Sequence, residues 1–470
     1  MTRRQIAIAV AAIFLGGCAT FSQDGGFNVV ESTVKARTGK DVRWIKSDTD
    51  AGSVRDMVKK LLVNPLSPDD AVQIALLNNR GLQATYSELG IVEADLVQAG
   101  RMTNPHFAYL RTRNAGERKL EWALTFPIID LLTMPLRTRL EGRRFEEAKL
   151  GVAGRAVDVG LESRRAWYQA VAAAQTVRYM EQVKEAAEAS AQLARRMAQV
   201  GNFPKLTQMR EQVFYAETAA QLARARQTAT AERERLTRLM GLYGDDLGFK
   251  LPERLPDLPA AAPEIKDLEA TAIAQRYDVQ AAKRATESLA ESLGLIKATR
   301  FVNALELGPA NTKEDPEPWK RGFEVSLQIP IFDWGGARVA KAEAIYMQSV
   351  HRVAETAINA RSEVREAYAA YRIAYDIAKH YRDEIVPLRK KISEETLLRY
   401  NGMLMSVFEL LADAREQVMS VNATIEAQRD FWLAENALHG ALNGTPRMGG
   451  ADSAGSAGRR VARDPALAGH

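Results

Sequence analysis

The sequence contains very little cysteine and histidine. Of its 470 residues one is a cysteine, Cys18, and five are histidines. A single cysteine excludes a disulfide within the chain. The five histidines are His106, His351, His380, His439 and His470. No two of them have the spacing of a metal site. There is also no nucleophile motif and no glycine-rich phosphate loop before a helix, so the sequence predicts neither a metal site nor an enzyme.

Long stretches contain almost no proline or glycine. Ala, Leu, Glu, Arg and Gln dominate them, which is the composition of long helices and coiled coils. The formal net charge is only +5, and acids and bases share the same helices. This pattern indicates solvated helix faces and no nucleic-acid partner. The composition therefore predicts one elongated, mainly α protein.

The apolar run near the start, Ile6 to Leu15, is too short to span a bilayer. Arg3 and Arg4 precede it, so residues 1–17 are predicted to be a secretory signal peptide. The next motif, "LGGC", ends at Cys18 and resembles the bacterial lipobox, in which the cysteine thiol receives a diacylglyceryl group. Several acyl chains, palmitate among them, give stable anchoring. The alternative is a small buried residue beside the cleavage site.

The prediction is that Cys18 carries a covalent lipid and that the chain binds no other cofactor. Ala19 follows the cysteine, and lipoproteins without Asp at this place usually reach the outer membrane. The expected location is thus the bacterial outer membrane, with the chain lipid-anchored and extending into the periplasm. Residues 18–65 are mixed and polar, and we expect them to form a lipidated strap.

Two segments alternate apolar and polar residues with the period of a strand. Each is the second strand of a predicted hairpin, within residues of about 104–127 and 299–330. In the first hairpin the upstream strand is Phe107 to Arg113 and "NAGE" is the turn; in the second the upstream strand is Phe301 to Leu307. The apolar positions, predicted to face lipid, are Leu120, Trp122, Leu124 and Phe126, and Phe323, Val325, Leu327 and Ile329.

Each predicted β-hairpin is flanked by the same elements in the same order. A helix precedes it, running from an N-cap at Ser67 to about Gly100 in the first case, and from about Glu264 to Thr299 in the second. A helical hairpin follows it, at about 136–241 and 337–442, and "REQV" recurs at Arg210 and Arg415. The chain is therefore a tandem duplication. Its repeats are 66–241 and 264–444, a proline-rich linker spans 242–263 and a disordered tail spans 445–470.

Four strands cannot close a barrel, because even small barrels need about eight. If the apolar faces meet lipid, open strand edges leave backbone groups unpaired in hydrocarbon. Sharing one barrel among copies removes these edges, and a trimer supplies twelve strands of suitable length. The alternative is that each alternating segment forms the corner of a small soluble sheet.

The duplicated plan, "IPIFDWGGAR" between strand and long helix, and "RYNGMLMSVFELLADAREQ" at the second helical hairpin resemble the outer-membrane factor (TolC-like) family of efflux ducts. The resemblance covers about Leu66 to Gly444. It implies a homotrimer with a transmembrane 12-stranded β-barrel and a 12-helix periplasmic α-barrel. Such a duct passively exports substrates from an inner-membrane pump of the resistance-nodulation-division type through a periplasmic adaptor. These two sequence motifs are similar to those of the heavy-metal efflux branch of the family. Metal ions are therefore the first candidate substrate and drugs the second.

Aligned on "VFELLADA", the family's periplasmic gate acids fall on Glu409 and Asp413, with Arg399 or Arg415 as possible basic partners. The alternative is a solvated helix face. The adaptor is expected to bind the tips of the two helical hairpins. The first tip contains Gly201, Asn202 and Phe203 and extends to Lys205. The second contains Tyr400, Asn401, Gly402 and Met403 and extends to Met405. Met403 and Met405 are soft ligands suited to Cu(I), although packing or adaptor contact is the alternative role. A rival for the whole chain is a coiled-coil lipoprotein scaffold or adaptor that forms no pore.

Two departures from the family pattern are present. Arg210 follows Gly201 by nine residues, whereas Arg415 follows Gly402 by thirteen. The difference of four residues predicts that the two hairpin tips differ in length by about one helical turn. The glycines after the strand, Gly335 and Gly336, occur in the second half only. The two joints between strand and helix are therefore predicted to differ.

Overall fold

The structure is a computed structural model, and it describes residues 20–114, 117–262, 264–265, 267–301 and 304–444. The predicted signal peptide, Cys18, the centre of the "NAGE" turn and the tail 445–470 lie outside the described residues. The chain divides into two compact units. Of the described residues, the first unit contains those within 20–30, 85–153 and 277–358, and the second contains those within 31–84, 154–276 and 359–444.

Helices account for most of the described chain. They are α1 Phe27–Thr38, α2 Asp48–Leu61, α3 Pro68–Asn78, α4 Arg80–Ala99, α5 Ile128–Gln199, α6 Lys205–Met240, α7 Leu268–Gln275, α8 Tyr277–Ala298, α9 Gly336–His380, α10 Val386–Asn401 and α11 Val407–Asn443. The strands are β1 His106–Asn114, β2 Glu117–Pro127, β3 Leu305–Glu314 and β4 Lys320–Leu327. Among the described residues, no helix combines the length and the apolar character needed to cross a bilayer.

The first unit contains one antiparallel sheet in the order β1-β2-β3-β4. Pairs such as Tyr109 with Trp122, and Leu307 with Val325, fix its register. Gly308 is required where β3 passes β2, because a Cβ there would lie 1.7 Å from the Leu124 carbonyl oxygen. β3 begins four residues after the predicted Phe301 and runs on to Glu314. Pairing with β2 imposes this extent on a segment that lacks alternation.

The second unit is built around two apolar clusters. The first surrounds Trp167, whose indole N–H donates to the Leu66 carbonyl over 2.8 Å. The second surrounds Phe431, against which Tyr371 and Tyr375 pack. Burying side chains of this size accounts for most of the favourable free energy of folding. The long helices are thus fixed by packing of their apolar stripes as well as by their helix propensity.

The helix that precedes each hairpin is interrupted, which the sequence analysis did not predict. The capping box of Ser67 and Asp70 starts α3 as predicted, but Asn79 is extended, with a ψ of 118°. The Asn79 Oδ1 accepts the N–H of Leu82 and so caps the next helix. In the second repeat Arg276, with a ψ of 131°, separates α7 from α8. The predicted single helices at 67–100 and 264–299 are therefore wrong.

The interruptions serve the same packing role in both repeats. The side-chain amide of Asn78 donates to the carbonyls of Met240 and Gly241, at the end of α6. In the second repeat, Arg276 donates to the carbonyl of Ala441, near the end of α11, and pairs with Glu363 at 2.7 Å. In both cases a side chain beside the break donates to carbonyl groups at the end of a later helix, where the helix itself supplies no donor.

Other boundaries also differ from the prediction. The predicted strap contains two helices, α1 and α2, which bury valines such as Val34 and Val54. The helix α5 starts at Ile128 and includes Pro135. An ion pair of 2.6 Å between Asp130 and Arg137 bridges that proline. The long helix of the second repeat is interrupted by a π-helical turn, Tyr381–Ile385, because Pro387 cannot donate to the helix ladder.

The two joints between strand and helix are built differently, as predicted. β2 passes into α5 without an intervening residue, whereas eight residues separate β4 from α9. Gly335 ends this connection with a φ of 74°, and a Cβ there would lie 2.9 Å from the Arg300 carbonyl oxygen. Glycine is therefore required at the second joint only. Apolar side chains of the connection are exposed, Phe332 most of all.

Candidate functional site

The two faces of the sheet differ in character. Cross-strand partners share a face, so one face combines the even-numbered residues of β2 with their partners. We call it the apolar face; its apolar members are Phe107, Tyr109, Leu120, Trp122, Leu124, Phe126, Leu305, Leu307, Pro309, Phe323, Val325 and Leu327. The other, the polar face, carries small or charged residues such as Ala123, Thr125 and Glu306.

Large apolar side chains of the apolar face are exposed in the single chain. Phe323 is 77% exposed, and Val325 and Leu327 are at least half exposed. On the polar face Ala123 and Thr125 are buried instead, and the Thr125 hydroxyl donates to Glu306 over 2.8 Å. Ile329 is exposed too but lies beyond the end of β4. The other seven residues predicted to face lipid lie on the apolar face.

The first tip is the turn at 200–204 and the second tip is the turn at 402–406. Both have five residues, so the turns do not differ in length as the residue count suggested. The difference lies in the helices: Arg210 is five residues after the start of α6, and Arg415 is eight residues after the start of α11. The second hairpin extends further beyond its "REQV" motif by nearly one helical turn.

Both tips expose apolar side chains. At the second tip Met403 is 93% exposed, and Leu404 beside it is also largely exposed. Met403 has a φ of 59°, in the left-handed region that favours glycine and asparagine. At the first tip Gly201 has the positive φ and Val200 is exposed, and Leu206 in the first turn of α6 is exposed beside it. A strained backbone that presents apolar side chains to water is typical of a contact surface.

Glu409 and Asp413 lie one turn apart on α11, as predicted. The Glu409 carboxylate accepts the backbone N–H and the hydroxyl of Ser406, each over 2.9 Å. These hydrogen bonds hold the pKa of Glu409 below its usual value, the backbone donor having the larger effect. Ser406 and Glu409 thus form a capping box, and "SVFE" is the sequence signal for it.

Neither predicted basic partner binds these acids within the chain. Arg399 pairs with Glu395 at 2.7 Å, on its own helix. Arg415 pairs instead with Glu211 on α6, at 3.4 Å, and stacks on the Phe214 ring at 4.6 Å. Among the described residues Asp413 forms no ion pair. The Glu409 carboxylate is bound by Ser406 of its own capping box, and it too forms no ion pair with a described residue.

Glu211 is the residue that the sequence analysis missed. Its side chain is 3% exposed, and it accepts the Ser190 hydroxyl over 2.9 Å in addition to the Arg415 guanidinium. Because Arg415 belongs to the second helical hairpin and Glu211 to the first, this contact joins the two. Both residues occur in "REQV" motifs, Glu211 as the acid of the first and Arg415 as the base of the second. We call the pair the hairpin tether.

Solved structures of outer-membrane proteins, some of them described as channels, resemble this chain. CmeC of Campylobacter jejuni, an outer membrane channel, has a TM-score of 0.70 at 16% identity over 83% of this chain and 88% of its own. VceC, an outer membrane protein of Vibrio cholerae, has a TM-score of 0.67 at 14% identity over 81% and 97%. MtrE, an outer membrane channel of Neisseria gonorrhoeae, has a TM-score of 0.64 at 16% identity over 80% and 88%.

No protein-family model matches the sequence, and no curated protein sequence matches it either. The structural likeness therefore defines the fold. The chain has the TolC-like fold, mainly α with a small β part, and the predicted fold class is confirmed at that level.

Proposed function

We propose that this chain is the outer-membrane duct of a tripartite efflux system. The observation that carries the proposal is the sheet, which exposes a continuous apolar face while its opposite face is small and polar. Within the described residues, β1 and β4 each have one unpaired edge. An apolar face of this kind is stable against lipid, and the open edges are stable only when they pair with other strands.

Three copies satisfy both requirements. Twelve strands are enough for a closed barrel, and closed rotational symmetry lets β1 of one copy pair with β4 of the next. The polar face then lines the pore. The helical hairpins of the three copies form the periplasmic α-barrel, and lipid on Cys18 anchors each chain to the outer membrane.

The exposed tips are the adaptor-binding sites in this proposal. Met403 and Leu404 at the second tip, and Val200 and Leu206 at the first, offer apolar surface that an adaptor hairpin covers. The longer approach to the second tip gives the adaptor two unlike contacts in each protomer. The adaptor connects the duct to an inner-membrane pump, of the resistance-nodulation-division type.

Glu409 and Asp413 form the periplasmic gate in this proposal. In a trimer they place six carboxylates around one axis. These carboxylates attract cations and repel one another. The hairpin tether holds the second hairpin against the first and so keeps the gate narrow. A passive duct needs no cargo site of its own; metal ions are the first candidate cargo, and drugs the second.

The test is the conductance of the detergent-purified protein in a planar bilayer, with its particle mass. A conducting particle of roughly 150 kDa, three protomers, is expected. Trp122→Asp with Leu327→Asp places two charges on the apolar face and is expected to abolish insertion. The matched control, Thr312→Asp with Ser326→Asp, places two charges on the polar face and leaves insertion intact.

A monomer that never conducts contradicts the proposal. The same is true if the Trp122→Asp, Leu327→Asp variant still forms conducting trimers. Either result favours a coiled-coil scaffold without a pore, since the apolar face then packs on protein.

A further inference from the structure

The apolar face changes character along its strands. Towards the hairpin ends, the apolar rows give way to one row that crosses all four strands: Tyr109, Trp122, Asn311 and Arg321. The next row contains Arg111, Leu120 and Lys313, and Arg113 lies beyond it. Rows on one face are about 7 Å apart along a strand. The sequence of rows is therefore apolar, then aromatic and polar, then basic.

The basic residues of this face lack compensating acids. Arg111, Arg113 and Arg321 are exposed, and none forms an ion pair with any described residue. Lys313 has only Asp315, at 3.8 Å, which is shared with Arg118 at 3.3 Å. Arg118 lies on this face opposite Arg113, so five cations of the described residues share one carboxylate. We call Arg111, Arg113, Lys313 and Arg321 the basic rim.

The polar face at the same end is balanced instead. Lys119 pairs with Glu121 at 2.6 Å and with Glu314 at 3.5 Å. Lys320 also pairs with Glu314, at 3.8 Å, and with Glu317. The excess of positive charge is therefore confined to the face that carries the apolar band. General solubility of the hairpin ends does not account for such a one-sided distribution.

We propose that the basic rim binds the phosphate groups of lipids in the outer leaflet of the membrane. This inference rests on the proposed function, because it requires the apolar face to meet lipid. Tyr and Trp side chains lie at membrane interfaces in barrels, so the row with Tyr109 and Trp122 marks that interface. The basic rim then lies at the level of the head groups, where guanidinium groups bind phosphate through paired hydrogen bonds.

Charge complementarity identifies the occupant as an anionic lipid. Each Lys or Arg near an anionic surface strengthens binding roughly fivefold. Two strand spacings, about 10 Å, separate Arg111 on β1 from Lys313 on β3. Long side chains over that span suit a head group with more than one phosphate, such as a diphosphorylated glycolipid.

The experiment measures lipid that the full-length protein retains in detergent, by native mass spectrometry, after incubation with diphosphorylated glycolipid or with phosphatidylcholine. We expect retention of the phosphorylated lipid only. Arg111→Gln with Arg321→Gln is expected to reduce retention at least tenfold. The matched control, Lys119→Gln with Lys320→Gln, removes the same charge from the polar face at the same end and is expected to retain lipid as the wild type does.

Equal retention by the arginine variant overturns the proposal, and so does an equal loss in the lysine control. Inorganic phosphate is added as a competitor. Full displacement of the lipid by it shows a site for free phosphate and overturns the lipid assignment. Conductance of each variant is recorded in parallel. Conducting trimers that bind no lipid refute this inference alone, whereas a wild-type chain that neither inserts nor conducts refutes the proposed function.

Discussion

Breaking the hairpin tether is expected to open the proposed duct. Arg415→Ala leaves the Glu211 carboxylate buried with Ser190 as its remaining hydrogen-bond partner. The change also removes the stacking of Arg415 on Phe214. The first hairpin then no longer holds α11 near its N-terminal end, and the gate acids of that helix are free to move apart.

The magnitude follows from the burial of the two groups. Breaking a fully buried pair costs about 3–5 kcal/mol, since an uncompensated charge remains. Glu211 is 3% exposed but Arg415 is 40% exposed, so solvent screening reduces the cost to about 1–2 kcal/mol. Because 1.4 kcal/mol corresponds to a factor of ten, the open-to-closed ratio is expected to rise about 5- to 30-fold.

Single-channel recording of purified trimers gives this ratio directly as the open probability. Arg389→Ala is the control, because Arg389 pairs with Glu416 at 2.9 Å within the second hairpin alone. It is expected to leave the open probability unchanged. Arg415→Lys keeps the charge without the stacked guanidinium and is expected to give an intermediate value.

A double-mutant cycle separates the pair from its surroundings. With Glu211→Gln already in place, Arg415→Ala is expected to add little, because no buried charge is left unpaired. An Arg415→Ala channel with wild-type open probability refutes the tether. So does an Arg389→Ala channel that opens to the same extent.

Three further predictions concern the gate acids, the second tip and a buried carboxyl group. Glu409→Gln with Asp413→Asn keeps the capping box and removes the acids; weaker cation block and higher conductance are expected, and unchanged single-channel currents exclude the gate role. Met403→Asn keeps a residue that tolerates positive φ but removes apolar surface. Weaker adaptor binding at unchanged thermal stability is expected in calorimetry, with Met403→Leu as the binding-competent control; unaltered affinity of the Asn variant counts against a contact at this tip. Burial raises the pKa of Glu435, an effect that Arg164 opposes. A raised folded-state pKa stabilises the fold below the unfolded value near 4.5, and this contribution is lost as pH rises through the folded value. Glu435→Gln is thus expected to raise the melting temperature at pH 7 and not at pH 4; equal shifts at both pH values contradict the assignment.

Local patterns determined much of this protein. Period-two alternation located the second strand of each hairpin, and repeated phrases such as "REQV" predicted the duplication. Ser67 predicted the start of α3 correctly, because a capping box is made by residues three apart. The turn of the first helical hairpin was located from Gly201, Asn202 and Pro204, and that of the second from Asn401 and Gly402. All of these features depend on interactions within a few residues, so the sequence alone carries them.

Long-range partners decided the rest. The breaks at Asn79 and Arg276 occur where side chains bind the ends of distant helices. The extent of β3 follows from its pairing with β2, since its own residues do not alternate. Arg415 pairs with Glu211, 204 residues away, and not with the nearby acids. Only the tertiary structure brings such groups together, because the free energy of a buried contact depends on residues that sequence spacing does not relate.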